Sequence, residues 1–178
     1  RRQLMNNRAA PRLGEPASLW RMRIVPVVTV MLASALPLML PLVANSPVLP
    51  PLGLLFFLCW QLLRTEMWPV WIGLPLGLWD DLFSGQPIGT AIGLWTLASI
   101  AIHYSSQRIY WRGFLHDWTI AALLIAIIQS LAALIAHPDA ATGRVLGLVV
   151  PQVVISTLLV PLFMRLTGKF DNFRLKRR

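Results

Sequence analysis

Residues 117–136 read DWTIAALLIAIIQSLAALIA, a run of twenty residues whose one charged side chain stands at its start. A helix of about 20 apolar residues is long enough to cross the hydrocarbon core of a membrane. Short polar joints separate this run from five other apolar stretches, which are 24–44, 49–63, 67–83, 87–104 and 145–166. The pattern predicts an all-α polytopic membrane protein with six transmembrane helices.

The composition of the whole chain agrees with this prediction. Hydrophobic residues make up 56% of the 178 residues and charged residues 13%, whereas about 25% of a soluble domain is charged. We therefore expect one six-helix membrane domain over 24–166, with cytoplasmic basic tails at 1–23 and 167–178. The two stretches between 49 and 83 are short for a span, and flanking residues or local thinning of the bilayer would have to compensate.

Lys and Arg are distributed unevenly over the joints. If the joints alternate between the two sides of the membrane, fifteen of the sixteen fall on one side and only Arg144 falls on the other. Cytoplasmic loops carry such an excess because Lys and Arg are unfavourable to translocate. The pattern predicts a multi-pass protein of the bacterial inner (plasma) membrane with both termini in the cytoplasm, and it predicts that the first span is not cleaved.

The net charge of +9 needs no nucleic-acid partner to explain it. The basic residues stand beside the ends of the apolar stretches, where they set the topology and contact anionic lipids. Residue types that carry catalysis or hold metals are scattered: Cys59 stands alone, and the three histidines have no metal-ligand spacing. The sequence contains no phosphate-binding loop and no HExxH motif. We expect no enzyme, no cofactor and no metal site.

The most informative polar segment is residues 77–89, GLWDDLFSGQPIG, in which Asp80 and Asp81 stand at the end of the third span. Adjacent helical positions differ by about 100°, so the two acids cannot share one face. We expect one to point into the bundle and the other toward the outer headgroups. The pair is interpreted either as a site for an ion, proton or substrate, or as a polar fastener of the turn. The fastener is favoured, because paired catalytic carboxylates face each other across a cleft.

Glycines recur at a spacing of four in the same region. Gly73 and Gly77 lie in span three, and Gly85, Gly89 and Gly93 continue the spacing into span four. Small residues four apart let two helix backbones approach closely. These glycines therefore pack spans three and four on each other, which we rank first, or they form a docking face for a transmembrane helix of a partner.

The segment 77–89 resembles the bacterial rod shape-determining protein MreD family. It is similar to the family's Gly, apolar, Asp-Leu, Ser-Gly, Pro/Leu-Gly turn between two spans, with Asp81 at the position of the family's Asp and Asp80 as an extra acid. Two further stretches are similar: the pair Pro50-Pro51 before a Trp-containing apolar run, and the proline-containing, basic-ended stretch 159–165. The long N-terminal tail is a departure from the family.

The resemblance implies a non-enzymatic scaffold or regulatory subunit of the machinery that lengthens the wall of rod-shaped cells. Family members bind the bitopic membrane protein MreC and work with an elongation-specific glycan polymerase and a class B transpeptidase of peptidoglycan synthesis. The family fold is similar to the substrate-binding subunit of energy-coupling-factor transporters, so a vitamin-binding subunit is the alternative function. A vitamin site needs convergent polar side chains and long outer loops that close over the ligand. The outer joints of this chain are short, which favours the scaffold.

The charge distribution leads to a first prediction, on topology. An alkaline phosphatase that is active only in the periplasm, fused after Arg178, should give no activity, because the basic residues hold this end in the cytoplasm. The same reporter inserted in the joint after residue 136 should be active. A strongly active C-terminal fusion would contradict both the orientation and the number of spans.

Overall fold

The computed structural model describes residues 19–39, 49–108, 113–138 and 142–175. Within these ranges every regular element is helical, which confirms the all-α prediction. The elements are α1 (Leu19–Met39), α2 (Leu52–Leu63), a short 3₁₀ turn (Val70–Ile72), α3 (Gly73–Ser84), α4 (Thr90–Arg108), α5 (Phe114–Ala136) and α6 (Thr142–Leu175).

Two of these helices are long and apolar enough to cross a membrane. They are Phe114–Ala136, with 23 residues, and Gly147–Phe173 within α6, with 27 residues. Only 28% and 22% of their apolar windows are buried, respectively. The core helix of a soluble protein would have most of its apolar side chains covered. The length and the exposure of these two helices suggest a membrane protein.

Helix α2 occupies the centre of the bundle. Nine of its twelve residues are buried, and the side chains of Leu55, Phe57 and Trp60 are fully covered. The other helices surround α2 in the order α1, α3, α4, α5 and α6, and α6 packs back on α1. A helix of twelve residues is about 18 Å long, less than the roughly 30 Å of a hydrocarbon core. Helix α2 therefore fills only part of the length of the ring.

Aromatic rings hold α2 against its neighbours. The ring of Phe57 stacks on that of Trp95 of α4, with centroids 4.7 Å apart. On the opposite side, Phe56 meets Phe163 of α6 edge-on at 4.8 Å. The indole N–H of Trp60 donates to the Thr29 hydroxyl of α1 at 3.0 Å. Each aromatic group thus packs its apolar surface, and the buried indole N–H of Trp60 has an acceptor.

The described helix ends gather at two opposite ends of the bundle. Arg64, just after α2, pairs with Asp171 near the end of α6 at 3.0 Å, and Ser106 near the end of α4 donates to Thr65 at 3.3 Å. We call this the Arg64 end. The start of α2, the end of α3 and the end of α5 line one cavity at the opposite end, which we call the Asp81 end.

The helix that contains residue 166, the predicted end of the membrane domain, extends into the predicted tail. Helix α6 continues without a break to Leu175. The reason is that Thr167 and Asp171 lie on its buried face and Asp171 pairs with Arg64, so the helical face that packs on the bundle extends past 166. Helix α1 likewise begins at Leu19 rather than at residue 24, and the tail 1–18 lies outside the described residues.

Helices α3 and α4 pack with their backbones in contact. A Cβ placed on Gly73 would lie 2.7 Å from the backbone nitrogen of Thr96, and one on Gly77 would lie 2.6 Å from the carbonyl oxygen of Ala91. A real Cβ cannot approach main-chain atoms so closely, so only glycine permits this spacing. The close approach that Gly73 and Gly77 allow is therefore used within the chain, between α3 and α4.

This packing gives a second prediction. Gly77→Ala should lower the free energy of unfolding by about 1–3 kcal/mol, because the new methyl group overpacks a backbone contact. The matched control is Gly93→Ala on α4, where a Cβ meets nothing within 4 Å. That change should be neutral or slightly stabilising, because alanine favours helix over glycine by about 1 kcal/mol.

The measurement is thermal unfolding in mild detergent, followed with a thiol-reactive fluorogenic dye. Cys59 is the only cysteine in the sequence and is buried, so the dye reports exposure of the α2 core. Equal unfolding midpoints for the Gly77→Ala and Gly93→Ala proteins would contradict the close α3–α4 contact.

Candidate functional site

The segment that carries the two acids folds as a tight turn between α3 and α4. Helix α3 ends at Ser84, and Gly85 follows in the left-handed conformation with φ of 68°. Gly89 has φ of 105°, just before α4 begins at Thr90. Side chains with a Cβ disfavour both conformations, so glycine is required at these two positions to end one helix and start the next.

Asp81 caps the beginning of α4. Its carboxylate accepts hydrogen bonds from the backbone N–H of Gly89 at 2.8 Å, of Ala91 at 2.8 Å and of Ile92 at 3.3 Å. The first N–H groups of a helix have no partner within the helix, and the positive end of the helix dipole favours a carboxylate there. Asp81 is only 3% exposed. Its charge is therefore buried, and three backbone donors compensate it.

The hydroxyl of Thr90 completes the same turn. It donates to the carbonyl oxygen of Pro87 at 2.8 Å, and the backbone N–H of Thr90 donates to the same carbonyl at 3.1 Å. The side chain of Asp81 thus satisfies the N–H groups of Gly89, Ala91 and Ile92, and Pro87 satisfies the one between them. Every backbone donor from Gly89 to Ile92 has an acceptor.

Asp80 faces a different part of the bundle interior. A Cβ placed on Gly53 in the first turn of α2 would lie 3.1 Å from Asp80 Oδ1 and would collide with the Ser34 hydroxyl of α1. Asp80 also lines the cavity at the Asp81 end. Asp81 is buried, and Asp80, which is partly exposed, also lies beside protein groups. The physical reason is that α3 has α4 on one side and α1 on the other, so side chains 100° apart both meet protein.

The cavity at the Asp81 end has a volume of about 650 Å³. It lies beyond the first turn of α2, where this short helix leaves the middle of the ring unfilled. Leu94 and Trp95 of α4 and Ile128 of α5 give it an apolar wall. Its polar lining consists of Asp80, Ser84, Gln86, Gln129, His137 and Gln152. The volume lies in the range of about 300–1,000 Å³ that is typical of small-molecule sites.

The amides of two lining residues are tied to neighbouring helices. Gln129 of α5 donates from Nε2 to the Ser156 hydroxyl of α6 at 3.0 Å, and Gln152 of α6 donates to the carbonyl oxygen of Leu49 at 2.8 Å. The Oε1 of Gln129 is buried and accepts no hydrogen bond from the described residues. A buried acceptor without a donor is uncommon in proteins, so this atom marks a place where a bound donor would be stabilised.

The remaining predicted site residues lie away from helix contacts. A Cβ at Gly85, Gly89 or Gly93 would meet nothing within 4 Å. Gly93 is exposed on α4. The five predicted glycines therefore do not form one face: Gly73 and Gly77 lie inside the α3–α4 contact, the next two shape the turn, and Gly93 is open.

Sequence reasoning did not single out Gln129, His137 and Gln152 as neighbours of Asp80. They come from α5, its C-terminal end and α6, between about 50 and 70 positions away along the chain. Their similar depth in the predicted membrane could have indicated them, since all three are polar and lie near the outer ends of the last two spans. Within the described ranges, no three His, Cys, Asp or Glu side chains lie close enough together to hold a metal ion.

Comparisons with models of protein families, with curated proteins and with solved structures find no match for this chain. The resemblance to the MreD family therefore depends on the residues themselves, above all on the segment 77–89. In the structure that segment is a helix-to-helix turn whose one fully buried acid is bound by backbone N–H groups. The sequence pattern of residues 77–89 thus corresponds to a turn in which Asp81 caps the following helix.

The third prediction concerns this cap. Asp81→Ala removes the acceptor of three hydrogen bonds and should lower the free energy of unfolding by about 2 kcal/mol or more. Asp81→Asn keeps one acceptor oxygen but turns an NH₂ group toward backbone donors, so an intermediate loss is expected. Thermal unfolding measured by labelling of Cys59 provides the midpoint. Glu66→Ala, an exposed acid at the Arg64 end, is the control and should leave the midpoint unchanged. An Asp81→Ala protein as stable as the wild type would refute the capping role.

Proposed function

We propose that this protein is a membrane scaffold of the MreD type, a non-enzymatic subunit of the machinery that elongates the bacterial cell wall. The observation that carries the proposal is the geometry of the 77–89 turn. Asp81 is the acid that the resemblance singles out, and its carboxylate oxygens accept hydrogen bonds from backbone N–H groups at the start of α4. A carboxylate used in this way orders a helix pair, as a scaffold needs, and is not presented to a substrate.

Six transmembrane helices with both termini in the cytoplasm are part of the same proposal. The short helices α2 and α3 fall below the usual length of a span, but α2 is enclosed by other helices and α3 is preceded by a 3₁₀ turn. The gathering of the described helix ends at the Arg64 end and at the Asp81 end supports six crossings. Arg64 and Lys169 lie toward one end, in agreement with a cytoplasmic side that contacts anionic lipids.

The partner in this proposal is an MreC-like bitopic protein, and we place its transmembrane helix on the exposed side of α4. Gly73 and Gly77 are covered by α4, so they are removed from the candidate interface. Gly93 remains open, and Leu97, one turn further along the same side, is 62% exposed. Lipid chains are as apolar as leucine, so helix association in a bilayer depends on close backbone approach, which Gly93 permits.

One observation favours the second candidate, a substrate-binding subunit of an energy-coupling-factor transporter. The chain has few polar residues in its spans, yet the fold collects several of them around one cavity with Asp80. Convergent polar groups in an otherwise apolar cavity are typical of a ligand site. The scaffold remains the first proposal because the 77–89 turn resembles that of the family and because a cavity is compatible with a scaffold.

The fourth prediction tests the scaffold and its interface together. The protein is co-expressed with the MreC-like protein of the same bacterium and purified in mild detergent through its own tag. We expect the bitopic protein to co-purify with the wild type. Gly93→Leu should abolish this by pushing the docked helix outward by a side chain's width. Gly147→Leu on α6, equally open in the structure, is the matched control and should retain the partner.

The outcomes separate the candidates. A wild-type protein that retains no bitopic partner but carries a tightly bound vitamin, detected by mass spectrometry after denaturation, would favour the transporter subunit and refute the scaffold. Retention of the partner by both leucine variants would keep the scaffold function but exclude the Gly93 side as the interface. Normal amounts of both variants in the membrane are required, and the open space at both positions predicts them.

A further inference from the structure

The cavity at the Asp81 end has an imbalance between acceptors and donors. Asp80 lines it with a carboxylate, which can accept about four hydrogen bonds. The protein groups beside that carboxylate are the Ser34 hydroxyl and the first turn of α2 at Gly53. Because these do not use its full capacity, Asp80 can accept further hydrogen bonds from a group inside the cavity.

A second acceptor lines the same cavity. Gln129 is 7% exposed, its NH₂ group is held by Ser156, and its Oε1 accepts nothing from the described residues. No Lys or Arg is found among the described residues that line the cavity. The site therefore offers acceptors and negative charge, and His137 is the one basic side chain among the described residues that line it.

These features favour a positively charged ligand. An anion would meet Asp80 and, close behind it, Asp81, and like charges repel strongly where water is scarce. A bare metal ion needs several oxygen, nitrogen or sulfur ligands, and the described residues group no three acidic, His or Cys side chains. A protonated amine fits, because its N–H donors match the acceptors and its charge forms strong, charge-assisted hydrogen bonds with a carboxylate.

The walls of the cavity limit the size of the ligand and favour an apolar portion beside its charged group. Leu94, Trp95 and Ile128 provide apolar surface beside the polar groups, and about 650 Å³ accommodates a small organic molecule. An aromatic face such as that of Trp95 also attracts cations. We propose that this cavity is a binding site for a small organic amine, whose ammonium group binds Asp80 and whose second donor binds Gln129 Oε1. The proposal goes beyond the scaffold function and does not depend on it.

The fifth prediction tests this site with three primary amines: ethanolamine, butylamine and 2-phenylethylamine. Each is compared with the neutral molecule in which OH replaces NH₃⁺, namely ethylene glycol, butanol and 2-phenylethanol. The purified protein is unfolded by heat in detergent, and labelling of buried Cys59 gives the midpoint. At least one amine should raise the midpoint in a concentration-dependent manner, and its alcohol should not, because a ligand that binds only the folded state stabilises it.

Three variants locate the effect. Asp80→Asn keeps the shape of the side chain but removes its charge, and it should weaken amine binding by about tenfold or more. Ala133→Leu narrows the cavity without altering Asp80 and should abolish binding by steric exclusion. Glu66→Gln removes a carboxylate at the Arg64 end and should bind amines as the wild type does.

The proposal is overturned if no amine stabilises the wild type, if the alcohols stabilise it equally, or if Asp80→Asn keeps the full amine effect. The midpoint without ligand shows whether each variant is folded. Should Asp80→Asn fail to fold, Ala133→Leu decides, and undiminished binding by that variant would place the amine outside the cavity. Partner co-purification is measured separately, so failure here leaves the scaffold proposal standing.

Discussion

The rest of the structure depends on the enclosure of α2, a helix of twelve residues inside a ring of five other helices. Nine of its twelve residues are buried, so apolar packing and internal hydrogen bonds must satisfy their side chains. Phe57 on Trp95, Phe56 on Phe163 and the Trp60 indole on Thr29 meet that requirement. Because α2 is also shorter than the ring, the centre of the bundle at one end is empty of backbone. The core and the cavity therefore have the same origin.

Two adjacent acids at that end serve different structural needs. Asp81 meets the N–H groups at the start of α4, and Asp80 lies by the first turn of α2 at Gly53. In both cases a carboxylate stands near a helix N-terminus, where the dipole lowers the cost of a charge in an apolar setting. The two carboxylates differ in how many protein donors bind them. Three backbone donors bind Asp81, whereas Asp80 borders an open volume, so the first is a structural group and the second is available to a ligand.

The sequence predicts the helices well, since apolar stretches bounded by Gly, Pro and charged joints mark their approximate positions. It also predicts the α3–α4 packing through Gly73 and Gly77, because a spacing of four has a direct geometric meaning on a helix. Other features come from neighbours that periodicity does not reveal. The contacts of Asp80 depend on α1 flanking α3, and the extension of α6 to Leu175 depends on Arg64 meeting Asp171. The cavity requires α2, α5 and α6 to converge, which no local pattern encodes.

A scaffold and a ligand site are compatible in one small membrane protein. The partner side proposed at Gly93 lies on the outside of α4, whereas Ala91, Leu94 and Trp95 of the same helix face the cavity. Helix α4 is also the helix whose start Asp81 holds and whose backbone Gly73 and Gly77 contact. A ligand at Asp80 would therefore touch the element that carries the proposed partner surface, through side chains one or two positions away. Coupling between the two would require α4 to have two arrangements. The backbone contact with α3 opposes such movement, so the geometry favours a rigid α4 on which both surfaces act independently.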